Sequence, residues 1–218
     1  MNKLALVQEL ARLAGISDSG GPATLVGQTG DNQKAIRYID AAHEEIQNEY
    51  ADWNFLWAST SFNTTIDLAE YAGASGLLTW DVDRIYCDGE QVDVIAYQDY
   101  TPETLDSAKP MQATILPNGQ IKFIPAPDAV YPITYDYFKA PKVLSLNADE
   151  SLIPSQYHMA IVARALIMYA NFESAAEAKV QGEELYTKYM TQLKNNQLPR
   201  RKQMFARSES IDFTVIPE

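Results

Sequence analysis

Catalysis in this chain would have to rest on very few side chains. The 218 residues include two histidines, His43 and His158, and one cysteine, Cys87. Each histidine lies inside an apolar helical pattern, and neither has a Cys or a carboxylate cluster at ligand spacing. A satisfied core or interface histidine is therefore the stronger reading, and no metal or cofactor is expected. Cys87 precedes a turn with no base beside it, and a thiol nucleophile needs an activating partner. Its lack of a disulfide partner suits a reducing compartment. The carboxylates Asp81, Asp83, Asp88, Glu90 and Asp93 crowd around one predicted hairpin and could present a general acid and base, but a solvated acidic face explains them better. "DVDRIYCDGE" puts Ile85 and Tyr86 where a calcium loop needs a ligand and a glycine. "SGGPATLVGQTG" lacks both the GK[ST] ending and the preceding strand of a phosphate loop. No acid, base and nucleophile set can be assembled, so the chain is not expected to be an enzyme.

The elements that would carry these residues follow from periodicity. Leu6, Val7, Leu10, Leu13 and Ala14 share a helical face, and Gly15 stands where a C-terminal cap would. Residues 17–32 read as a loop with an apolar anchor at Leu25 and Val26. A second helix carries Ile36, Ile39, His43, Ile46, Tyr50 and Trp53 on one stripe, with Lys34, Arg37, Glu44, Glu45 and Gln47 facing outward. From there to Ala140 the period becomes alternating. Asp88-Gly89 and Asn118-Gly119 each predict a two-residue hairpin, because both dipeptides tolerate the positive φ such turns require. Between them Thr101 and Pro102 predict a short helical turn. "YPITYDYF" is a further strand. Pro154 can open a third helix, apolar on nearly every side and hence central, and a fourth covers 175–194 with Ala178, Gly182, Leu185, Tyr189 and Leu193 on one face.

The expected fold is α+β: a mainly α-helical bundle of four helices with an inserted small antiparallel β domain and an extended C-terminal tail. The parts are 1–55 and 141–197 for the bundle, 56–140 for the insertion and 198–218 for the tail. No apolar run reaches the roughly 20 residues that span a bilayer. Gln8, Glu9 and Arg12 interrupt what would be a signal-peptide core, so assembly in cytoplasm without a membrane partner is expected.

Charge is unevenly placed. The net charge is −12, from 17 Lys and Arg against 29 Asp and Glu. Such a surface repels phosphate and argues against sequence-specific DNA binding. Yet Lys188, Lys194, Arg200, Arg201, Lys202 and Arg207 follow one another with no acid between Leu185 and Ser208. The basic tail cannot build a core of its own. Phe205 can anchor in a pocket, and Ile211, Phe213 and Val215 alternate as in a strand added to a sheet edge. These residues, with Arg200, Arg201 and Lys202, form the expected partner-binding element.

Three segments, the first running from "ARLAGI" through a loop to the stretch 31–60, together resemble one family. "ARLAGI", "DNQKAIRYIDAAHEEIQNEYADWNFLWAST", "FIPAPDAVYPITYDYFKAPKVLS" and "DESLIPSQYHMAIVARALIMYANFE" occur in the order and spacing of the head-to-tail adaptors of tailed bacteriophages, also called connector or tail tubular proteins. The resemblance implies a virion neck component: a ring of copies of this chain, usually twelve, between the portal and a tail, nozzle or neck protein. Viral DNA would pass through its lumen without sequence-specific binding. Trp53, Phe55, Tyr131, Tyr135 and Tyr137 would then stiffen the junction between β domain and helices or the contact between subunits. Two other readings stand beside it: a tail-completion or terminator ring of the virion, and a small cytoplasmic hydrolase using the acidic hairpin or Cys87.

Overall fold

The computed structural model describes residues 1–16, 21–101 and 105–199. Four helices, α1 (Lys3–Leu13), α2 (Gly30–Asn48), α3 (His158–Glu173) and α4 (Ala176–Gln197), flank eight strands: β1 (Trp57–Asn63), β2 (Glu70–Tyr71), β3 (Leu77–Cys87), β4 (Glu90–Gln91), β5 (Asp93–Ile95), β6 (Gln112–Ile115), β7 (Ile121–Ile124) and β8 (Pro132–Lys139). The class is α+β, with four helices as expected. The β part is more elaborate than two hairpins: it forms two four-stranded sheets, ordered β1-β8-β3-β4 and β2-β7-β6-β5, the second holding a parallel β5–β6 pair.

Two hydrophobic cores result. The first gathers Leu6, Leu10, Ile39, Ile46, Ile161, Leu166 and Leu193 from all four helices around α3. That helix is buried on most of its circumference, as a sequence apolar on nearly every side requires. The second core lies between the sheets, where Trp80, Ile85, Cys87, Ile133, Tyr135 and Tyr137 of one meet Ala113, Ile121 and Phe123 of the other.

Local chemistry explains the element ends. Gly15, at φ +64°, lets the Ile16 amide donate back to the Ala11 carbonyl at 3.0 Å and close α1 in a Schellman-type cap. Asp88 and Gly89, at φ +52° and +81°, make the expected two-residue turn between Cys87 and Glu90. The second hairpin differs. The Leu116 amide donates to the Gln120 carbonyl, so the loop is Pro117-Asn118-Gly119, and only Gly119 takes positive φ. A two-residue loop would need the residue at 117 to donate its N–H to the Gln120 carbonyl, and Pro117 has none, which favours this three-residue loop. Ser155–Tyr157 form a 3₁₀ turn after Pro154 and before α3, where a direct helix start was expected. A 3₁₀ turn at Tyr97–Asp99 precedes the turn predicted at Thr101, most of which falls on 102–104, outside the described residues. Val26 is exposed, leaving Leu25 alone as the loop anchor, and α2 ends before Tyr50 and Trp53.

Helices α3 and α4 approach closely at Gly182, where an added Cβ would lie 2.9 Å from Ile167 Cγ1 and 3.3 Å from the Ala163 carbonyl oxygen. An exposed helical Gly→Ala change gains about 1 kcal/mol from propensity. Here overpacking reverses the sign, and Gly182→Ala is expected to lower stability by about 1 kcal/mol in urea unfolding. A stabilised variant would refute the close approach.

Candidate interface and the junction that positions it

The chain leaves the sheets at Pro141 and reaches α3 through residues 141–153, which are outside any named helix or strand. Backbone groups there need partners from elsewhere. The Gln47 side chain supplies two: its Oε1 accepts from the Lys142 amide at 3.0 Å and its Nε2 donates to the Lys142 carbonyl at 3.2 Å. Expected to face outward, Gln47 is instead 1% exposed. An amide on a helix face imitates one rung of a strand pair, and periodicity alone cannot distinguish that use from solvation.

Lys3 is buried as well. Its Nζ donates to the Leu144 carbonyl at 2.8 Å and to the Asp40 carboxylate at 2.9 Å. The start of α1 gains its missing acceptors from the same segment, Lys3 N to the Asp149 carbonyl at 2.8 Å and Leu4 N to that of Asn147 at 3.1 Å. Asp149 itself accepts from the Ser145 and Leu146 amides, which holds its carboxyl below the usual range.

Both histidines serve this junction. His158 Nε2 donates to the Ile153 carbonyl at 2.8 Å, leaving Nδ1 to accept from the Met1 amino group. His43 Nε2 lies 2.8 Å from Ser151 Oγ, and its Nδ1 faces the Gln47 amide nitrogen at 3.2 Å. Burial, followed by the charges of His158, Lys142 and Lys3, lowers the His43 pKa to about 4. A proton on Nδ1 would set donor against donor at Gln47.

That shift fixes a pH dependence. Folded His43 gives up its proton more readily than the unfolded side chain, so the unfolded state binds the extra proton as pH falls. Its contribution is complete above about pH 6.5 and is lost through about pH 4, on the order of 3 kcal/mol in all. Thermal unfolding across pH 4 to 7 is expected to show this decline, and His43→Gln to flatten it. The slope will not vanish, because burial also depresses His158. A variant with the parent's slope would remove His43 from the account.

The expected site residues divide clearly. Trp53 is fully buried in the helical core and donates through Nε1 to the Ile46 carbonyl at 3.1 Å, with Phe55 stacked on it at 5.2 Å. Tyr135 and Tyr137 are buried between the sheets, and the Tyr135 hydroxyl accepts from the Ala74 amide at 2.9 Å. Tyr131 is half-buried at the edge of that core and donates to Asp128. The tail residues Arg200, Arg201, Lys202, Phe205, Ile211, Phe213 and Val215 lie outside the described residues.

The candidate chemical residues do not converge. Cys87 is buried in the sheet core and burial pushes its thiol pKa up, which disfavours the thiolate. Lys109 sits 3.0 Å from Glu90 and 3.6 Å from Asp88, tying two acids of the hairpin into ion pairs. Among the described residues no group of three or more His, Cys, Asp or Glu could hold a metal ion, and no helix is long and apolar enough to cross a membrane.

Asp81 belongs to a different arrangement. Trp80 pairs with Tyr137 and Ile85 with Tyr135, so the four residues 81–84 bulge opposite the single residue Asp136. The bulge brings Asp81 and Arg84 beside Asp136, on the outer face of the first sheet. With Asn54, Trp57, Phe138 and Pro199 they line a groove of about 420 Å³. The hairpin's charge was legible in sequence, whereas the bulge and the part played by Asp136 were not.

No curated protein matches this chain. The family model described as SU10 adaptor protein matches residues 1–209, nearly the whole length, and the chain therefore belongs to that family of phage head-to-tail adaptors.

Proposed function

We propose that the protein forms a homo-oligomeric ring in the phage neck, twelvefold as the resemblance implies, which joins the portal to a tail, nozzle or neck protein and lets DNA through. The match over residues 1–209 carries this reading. The role is structural and asks for no catalysis, in keeping with a buried, poorly ionised Cys87 and ion-paired hairpin acids. Net negative charge gives passing DNA little to hold, since a lumen that bound phosphate would retard ejection.

The sheet region acts as an insertion domain between the two halves of the helical unit, held at a fixed angle so that neighbouring copies stack in register. The separate core between its sheets supports this division. The tail engages the portal: Ile211, Phe213 and Val215 add a strand to a partner's sheet edge, Phe205 anchors it, and Arg200, Arg201 and Lys202 direct it toward an acidic surface.

Electron microscopy of the purified protein, alone and mixed with portal, tests the reading. Rings seated on portal particles are expected. Rings that join tail tube but ignore portal would instead indicate a terminator, and a monomer inert toward both would overturn the neck assignment. Cys87→Ser, or Asp83→Asn, is expected to leave particle assembly intact and infectivity within about threefold, since no acid–base step, which contributes typically 10²–10⁴-fold, is at stake. A loss of that size in normally assembled particles would reveal chemistry.

A further inference from the structure

The groove on the outer face of the first sheet has the makings of a guanidinium site. Asp136 points away from the core between the sheets, yet the residue is only 9% exposed. Its carboxylate has no hydrogen-bond donor among the described residues, and Arg84 Nε stands 3.8 Å away, beyond hydrogen-bond reach. Arg84 is itself 62% exposed, so this pairing is loose. The side chain keeps 12% exposure, so water still reaches the carboxylate, but protein donors to complete its shell are few.

Asp81 adds to the demand. Its pKa is raised by burial and also by the Asp136 and Asp83 charges, opposed by the Asp83 amide, which donates to its Oδ1 at 3.3 Å, and by the Arg84 charge. Trp57 is 48% exposed and, with Phe138, gives the groove two aromatic rings. Carboxylates beside aromatic faces suit arginine in particular, because a planar guanidinium can donate twice to one and stack on the other.

We propose that this groove binds the arginines Arg200 and Arg201 of the chain's own C-terminal segment. Pro199 already lines it, and the next three residues are Arg200, Arg201 and Lys202. Extended chain advances about 3.3–3.6 Å per residue, so both guanidinium groups are within reach with almost no loop to close. A short tether makes the local concentration of these arginines on the order of millimolar, which disfavours a competing chain. Once its basic start is held, the tail from Phe205 onward leaves the subunit from a fixed point. The inference goes beyond the neck assignment and does not depend on it.

The test uses the full chain without other virion proteins. Ser59, exposed on β1 and paired across the sheet with Asp136, is changed to Cys together with Lys202→Cys, while Cys87 stays buried. Mild oxidation is expected to give a disulfide within one chain, located by peptide mass. Adding Arg200→Gln and Arg201→Gln, which leaves every sheet residue unchanged, should cut the yield at least fivefold, as should Asp81→Asn with Asp136→Asn. Rising salt should weaken it in the parent only. A yield indifferent to the tail charges would reduce the contact to proximity and overturn the proposal. So would absence of the bond, or bonds formed only between chains, the latter meaning that tails are exchanged among copies.

Discussion

The fold depends on how the segment between sheet and helix satisfies its backbone. Residues 141–153 have no regular structure of their own, yet they join the strand β8 to the central helix α3. Gln47 reads both polar groups of Lys142, Lys3 holds the Leu144 carbonyl, and the amides at the start of α1 hold those of Asn147 and Asp149. Removing one such partner leaves a buried group unsatisfied, at about 1–3 kcal/mol each, so the segment resists being half-formed. Helices distant in sequence are thereby fixed to the point where the sheets end.

The other connection is apolar. Trp53 closes the exit from α2 by capping the Ile46 carbonyl and filling the helical core, and the first strand begins four residues later at Trp57. Phe138, near the end of β8, packs against the helical core from the opposite strand, since it pairs with Trp57 in register. Two strand ends side by side, one anchored through Trp53 and one through Gln47, restrain rotation of the sheets better than either alone. An adaptor must transmit position between the structures above and below it, and a two-point attachment suits that requirement.

The helices were legible because burial and helical periodicity coincide in them: the stripe at Ile39, His43 and Ile46 and the all-round apolar α3 left little choice. Asp88-Gly89 was equally plain. What escaped was whatever depends on partners remote in sequence. Gln47 is polar at the rim of its stripe and resembles a solvated residue until Lys142, 95 positions on, is placed beside it. The parallel β5–β6 pair has no local turn to announce it, and the bulge at 81–84 looked only like a run of acids. The resemblance marks Tyr135 and Tyr137 for a junction or subunit contact, whereas their place in the sheet core follows from strict alternation with Thr134, Asp136 and Phe138. The same alternation puts Asp136 on the outer face, but its burial there comes from the bulge of a different strand.

Charge then separates two tasks in one molecule. Most of the chain carries −18 and the stretch from Leu185 to Ser208 carries +6, an asymmetry that would be idle if both parts faced only solvent. In the proposed ring, a surface that lets phosphate slide past is best left uniformly negative, and the basic residues would need a place away from that passage. Pro199, just past α4, lines the groove beside Asp81 and Asp136, and the proposed pairing would bring Arg200 and Arg201 to acids that Arg84 matches only loosely. Pairing them there would hide positive charge from DNA and complete a buried carboxylate together. A single contact would meet both electrostatic requirements, and the bulge would then serve the tail as well as the sheet.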